Sequence, residues 1–333
     1  MIQILDSARS SVRLLCSSSL PAARKYEGLG SRSSPGRPQA HHCTPLGHRG
    51  SGLVLAGAIR PDSRQEEPGT PHVPRVSVTD PLNRYVTGLE KDHFRIFEDK
   101  VEQKIGYFVQ ESAPISVGIL FDISGSMKDN IHTARNSIVR FLEGGNPDDE
   151  FFLVSFNQKT TLVQGFTHQS SSIRNEISFS NPGGRTALYD AVYLGLEQIK
   201  KGKNEKKALI LITDGEDNSS RYSASEVRDF AKESDVQIYG IGEEGKLGYG
   251  RSEIQNIVSL TGGRACFPNN FNELDYYIDL IHAELRNQYV VGYTPANKNR
   301  DGKWRKIRVK LEPPEGLPKL IVHAKEGYFA PKN

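Results

Sequence analysis

Residues 115–126 read Ile-Ser-Val-Gly-Ile-Leu-Phe-Asp-Ile-Ser-Gly-Ser. Seven uncharged, mostly apolar residues are too few for a core helix, and they fit a strand buried on both faces. The run stops on Asp122, and Ser124 and Ser126 follow at alternate positions, giving D-x-S-x-S at the strand's carboxyl end. A second run, 208–213 (Ala-Leu-Ile-Leu-Ile-Thr), stops in the same way on Asp214-Gly215. Between the two, Gly183-Gly184-Arg185 leads into Thr186 at the start of an amphipathic stretch. Open α/β sheets bind ligands at the carboxyl ends of their strands. Two carboxylates and three hydroxyls on three adjacent loop tips make an all-oxygen cage. Oxygen donors select hard cations, Mg²⁺ first and then Mn²⁺ or Ca²⁺.

Outward from these runs, apolar and amphipathic segments alternate. Strands are expected over 115–121, 151–156, 160–166, 208–213 and 236–241. Helices are expected over 129–142, 171–179, 187–200, 224–233 and 272–286. Strands joined by helices imply an α/β fold, a Rossmann-like, doubly wound and mostly parallel sheet. On either side the texture is purely β. Val76-Ser77-Val78, 94–97 and 105–109 precede the α/β region; 288–293, 304–311, 320–324 and 327–329 follow it. Each flank alone has about three strands, too few for a robust core. The expected organisation is therefore a β-sandwich-like domain built from 72–113 plus 287–330, with the α/β domain 114–286 inserted.

Residues 1–71 are different. Within 1–70, Ser, Gly, Pro and Arg supply 33 of the residues and Tyr26 is the sole aromatic. Such a stretch buries too little apolar surface to offset its ordering entropy, so it reads as a disordered tail. It also holds nine basic against five acidic side chains, leaving 34 against 35 in the rest of a chain whose net charge is +3. The basic balance belongs to the tail and argues for no nucleic-acid partner. Residues 51–58 (SGLVLAGA) close on Ala56-Gly57-Ala58, an A-x-A cleavage pattern placed far from residue 1. They could be a displaced or remnant signal peptide. Export to a periplasmic or extracellular space is then favoured, with a cytoplasmic location as the alternative. No apolar run approaches the ~18 residues of a membrane-spanning helix, so none is expected. Three cysteines give neither a disulfide scaffold nor a zinc spacing.

The D-x-S-x-S, Thr186 and Asp214 set resembles the metal-ion-dependent adhesion site of the von Willebrand factor type A domain, over about 114–286. The phrases VTGLEKDHFRIFED (86–99), GGRTALYDAV (183–192), TDGEDNSSRY (213–222), ELRNQYVVGYTP (284–295) and GYFAP (327–331) resemble an acidobacterial subgroup of that family. The resemblance implies that Ser124 and Ser126 ligate the ion directly and that Thr186 does so directly or through water. It implies that Asp122 and Asp214 act through bridging waters, which suits Mg²⁺. A remaining coordination position would take an Asp or Glu carboxylate from a partner protein of unknown identity. The implied function is metal-dependent protein binding in adhesion or assembly, not catalysis.

Other readings are weaker on chemical grounds. A metal-dependent enzyme, or enzyme subunit, using the ion as a Lewis acid needs a general base. No His or Cys falls on the three loops. Gly240-Ile241-Gly242-Glu243-Glu244-Gly245 fits G-x-G-x-x-G, yet it follows a late strand and its glutamates would repel phosphate. Among neighbours of the site, Asp217 and Asn218 read as loop-capping groups ahead of groups that support the site from behind, and Asp190 as pairing with a nearby base ahead of facing the site. Arg185 either attracts an acidic partner or holds its own loop.

Overall fold

In this computed structural model, residues 2–5, 13–14, 71–244, 248 and 250–332 are described, and they share one compact unit. Their leading strands are β1 (Gln3–Leu5), β2 (Arg13–Leu14), β3 (Arg75–Thr79), β4 (Tyr85–Thr87), β5 (Phe94–Glu98), β6 (Val101–Gln103) and β7 (Ile105–Glu111). The α/β region supplies β8 (Ile115–Asp122), β9 (Glu150–Phe156), β10 (Thr160–Thr167), β11 (Lys206–Thr213), β12 (Gln237–Gly242) and β13 (Ala265–Cys266). Its helices are α1 (Ile131–Glu143), α2 (Ser170–Ser178), α3 (Leu188–Ile199), α4 (Ala224–Glu233), α5 (Gly250–Thr261) and α6 (Leu274–Arg286). The chain then adds β14 (Gln288–Tyr293), β15 (Trp304–Leu311), β16 (Ile321–Ala324) and β17 (Gly327–Phe329).

The central sheet runs β10-β9-β8-β11-β12-β13 and is parallel except for the edge strand β10. All eight residues of β8 are buried, which is why its sequence is mostly apolar and not alternating. Its odd-numbered residues (Ile115, Val117, Ile119, Phe121) face a core shared with α1, α2 and α6. Leu120 faces the opposite core, with α3, α4 and α5. Truncating Leu120 to Ala would cost about 2–5 kcal/mol. The strand order turns at β8, with β9 on one side and β11 on the other. The crevice at such a reversal is where open sheets bind ligands.

The flanks pair with each other across the inserted region. β14 pairs with β3 and β7, β16 with β3, and β15 with β5. Two sheets result, of seven and four strands. Val76, Val78, Phe94, Ile96, Tyr289, Val291 and Ile307 form one core between them, a β-sandwich-like arrangement.

Polar contacts bind this sandwich to the amino end of the parallel sheet. Glu284 on α6 is fully buried and accepts from Tyr85 Oη (2.7 Å), Tyr239 Oη (3.1 Å) and Arg264 Nη2 (2.6 Å). Asp149, before β9, accepts from Ile115 N–H (2.9 Å) and pairs with Arg286.

Departures from the sequence reading include the tail and α5, besides the short strands β4, β6 and β13, which were not expected. The tail reading of 1–71 falls mostly outside the described residues, as do the apolar patch 51–58 and its cleavage pattern. Within the tail, however, Gln3–Leu5 forms antiparallel pairs with Tyr85–Thr87, and Ile4 is buried beside Val86 and Leu89. The helix α5 was not expected. Its Gly-rich approach hides the start, although Ile254, Ile257, Val258 and Thr261 fall on one face. Among the described residues no helix is long and apolar enough to cross a membrane.

Candidate metal centre

Asp122 ends β8 and is fully buried. Its Oδ1 accepts the Ser124 N–H (2.7 Å) and its Oδ2 accepts the Thr213 hydroxyl (2.5 Å). The first bond curls the D-x-S-x-S loop back over the strand end. The second ties it to β11, one residue before Asp214. Ser124 and Ser126 lie with their hydroxyl oxygens 3.0 Å apart. Ser124 is buried, whereas Ser126 is exposed at the loop tip.

Thr186 reaches the same place from the other side of β8. Gly183 N donates to Ile123 O (2.8 Å), and Gly125 N donates to Gly184 O (3.0 Å), so the two loops are laced together by backbone bonds. Gly184 has φ +85°, a left-handed conformation that favours glycine. The Thr186 backbone is clamped twice, its N–H donating to Asn218 Oδ1 (2.9 Å) and its carbonyl accepting from Asn218 N (2.9 Å).

On the third loop, Gly215 is informative through what it lacks. A Cβ at Gly215 would lie 3.2 Å from Ser126 Oγ and 3.3 Å from Thr186 Oγ1, so both hydroxyls border the space this glycine leaves open. Asp214 is buried, and its Oδ2 accepts from Asn130 Nδ2 (3.1 Å), which also donates to Glu243 Oε2 (2.7 Å). Contacts among the three loops thus join all five residues read from the sequence into one cluster.

The electrostatics suit a cation. Burial pushes the Asp122 carboxyl up to about 6; hydrogen bonds from Thr213 and Ser124 pull it back, and Asp214 raises it. The donor set is entirely oxygen, two carboxylates and three hydroxyls, which matches a hard divalent ion and not a soft one. Among the described residues no group of three or more His, Cys, Asp and Glu is arranged to hold a metal, so a cation here depends on the hydroxyls.

The neighbouring residues take structural roles. Asp217 Oδ1 accepts the Leu188 N–H (2.8 Å) and so caps α3. Asp190 accepts from Arg221 N (2.9 Å) and Nε (3.1 Å). The Arg185 guanidinium donates to Asn218 O, which holds its loop. Sequence reasoning missed Thr213, Asn130 and Asn157, the last of which donates to Gly183 O (3.0 Å). Thr213, adjacent to Asp214 at the strand end, was the one with a visible signal.

The von Willebrand factor type A domain model matches residues 116–279. Those residues are a von Willebrand factor type A domain. Inter-alpha-trypsin inhibitor heavy chain H4 from Bos taurus is 28% identical over 131 residues, and its Mus musculus counterpart, heavy chain 4, is 31% identical over 131 residues. Each match covers 33% of this chain and 14% of the relative, so this chain spans a small part of their length. Among solved structures, proximal thread matrix protein 1 from the mussel byssus, with a zinc-occupied adhesion-site motif, aligns at TM-score 0.48 and 21% identity. That alignment covers 56% of this chain and 49% of the other. In this chain's type A domain, the cluster around Asp122 sits at the carboxyl edge of the sheet, where its β8 and β11 loops meet.

Proposed function

We propose that this chain is a metal-dependent protein-binding module. Asp122, Ser124, Ser126, Thr186 and Asp214 would hold a divalent cation, with Mg²⁺ the best match to the donors. When bound, the ion supplies an electrophilic coordination position for an Asp or Glu carboxylate of a partner protein. The observation that carries this reading is the space at Gly215, bordered by the Ser126 and Thr186 hydroxyls beside two buried carboxylates. Hydroxyl donors are neutral, so two carboxylates roughly balance a divalent ion without quenching its attraction for a further acid. In this reading the sandwich from 72–113 and 287–330 is the mount for domain 114–286.

The test is a calorimetric titration of the full chain with Mg²⁺, paired with thermal melts with and without chelator. Saturable binding and a metal-dependent rise in melting temperature are expected. Both should be strongly weakened in Asp122→Ala while its circular dichroism spectrum stays native. Equal titration curves for the variant and the unaltered chain would overturn the assignment of the ligands.

A further inference from the structure

Phe179 is the most exposed large apolar side chain among the described residues, at 81%. One exposed apolar residue is ordinary on a protein surface, so its location decides its meaning. Because β10 runs antiparallel to β9, the following helix α2 climbs back towards the carboxyl edge of the sheet. Phe179 comes directly after α2 and opens the loop that ends on Thr186. This loop has few ways to tuck the ring away. Ser180 N donates to Ile177 O (3.3 Å), the Arg135 guanidinium donates to Ser180 O, and Gly183 and Gly184 are bonded to the D-x-S-x-S loop. Gly183 lies four positions beyond Phe179, which places their Cα atoms within about 14 Å.

The charge around the centre is divided. Lys159 is exposed at the β9–β10 turn, and exposed Arg185 reaches across to donate its guanidinium to Asn218 O on the loop after β11; neither forms an ion pair with a described residue. Their loops are joined by Arg185 N donating to Gln158 Oε1 (3.1 Å). Beyond β11 stand Glu216, Glu243 and Glu244, with Glu243 joined to Asp214 through Asn130 and Glu244 paired with Arg251. An acidic ligand is attracted by the exposed Lys159 and Arg185 charges.

We infer that Phe179, Lys159 and Arg185 form a partner-binding surface, and that the partner is a polypeptide with an Asp or Glu and an apolar side chain within about four residues of it. About 14 Å corresponds to four residues of extended chain. This inference rests on the proposed metal-bridged binding. The acid would reach the centre while the apolar side chain covers the Phe179 ring, away from Glu243.

The experiment uses a phage-displayed random heptapeptide library selected on the full chain in Mg²⁺ and released with chelator. Released peptides are expected to be enriched in Asp or Glu together with Phe, Leu, Ile, Trp or Tyr nearby. A selected synthetic peptide should bind Phe179→Ser about tenfold more weakly, the loss of a small hot spot, and Phe179→Leu should recover most of it. Acidic peptides without apolar enrichment, or equal affinity for Phe179→Ser, would overturn the inference and leave the metal-bridged reading in place. Absence of acidic, chelator-released binders would overturn that reading and this inference together.

Discussion

At the amino end of the parallel sheet, buried Glu284 lies against the Arg264 guanidinium, and buried Asp149 against that of Arg286. At the carboxyl end, buried Asp122 lies against a threonine hydroxyl and a backbone N–H. The first pair of carboxylates is neutralised from within the chain, and Glu284 also joins sandwich to sheet through Tyr85. Asp122 has only neutral donors and Asp214 nearby, so in the proposed reading its charge is left for a cation from outside. Burial of an acid does not by itself mark a functional site; what distinguishes the two ends is the charge of the groups that answer it.

The largest test of this contrast is Glu284→Ala. It strands the Arg264 charge and the Tyr85 and Tyr239 hydroxyls, and should cost about 3–5 kcal/mol in a urea melt. The folded fraction should still bind Mg²⁺ with nearly unchanged affinity. Replacing both partners, Glu284→Leu with Arg264→Met, should return much of the stability, since a buried pair is rarely better than matched apolar groups.

Asp122→Ala should behave in the opposite way. Calorimetry should show Mg²⁺ affinity reduced roughly 100-fold, the upper range for groups that act on a metal through an intermediary. In chelator its melting temperature should hold or rise, because a buried carboxylate with no internal cation is gone. A large fall in metal-free stability would place Asp122 with Glu284, as a structural acid, and erase the contrast.

Lys206 sharpens the account of the amino end. It begins β11, its ammonium donates to Leu285 O, and burial, followed by Arg75, pulls its pKa down to about 7 from 10.5. Between those values the unfolded chain keeps a proton that the folded chain has lost. Stability should therefore rise with pH across that window, by up to ~1.4 kcal/mol per unit, and carry the full penalty below it. Comparing urea melts of Lys206→Met and the unaltered chain from pH 6 to 10 isolates the effect. Parallel curves would mean that Lys206 is not held in the low-dielectric layer described here.

The carboxyl end was legible in the sequence because its signals are local. Strands buried on both faces give mostly apolar runs, and the polar residues that end them stand at the carboxyl edge of the sheet, where open α/β sheets bind ligands. The amino-end junction was not legible. Tyr85, Tyr239, Arg264 and Glu284 come from four separated segments, and no spacing in the chain announces their meeting. Phe179 failed for another reason: it continued the expected helix 171–179, and residue type alone does not say that the helix stops one residue earlier with the ring in solvent. The helix α5 was missed because no capping residue marks its start.

Asp217 and Asn218, adjacent in sequence and both read as capping groups, divide the same question more finely. Asp217 accepts N–H groups of Leu188 and Tyr189, so Asp217→Ala removes a cap from α3 and should cost about 1 kcal/mol of stability. Asn218 instead grips both backbone groups of Thr186, and only its Oδ1 bond is lost in Asn218→Ala. That variant should lose a few tenfold in Mg²⁺ affinity at most, with a smaller change in melting temperature, because the freed Thr186 must be re-ordered when the ion binds. Measured side by side, the two alanine variants should trade places between the melt and the titration. If both fall together in both measurements, the loop 214–222 is a single rigid cap, and the Thr186 hydroxyl is placed by the fold of α3 and not by Asn218.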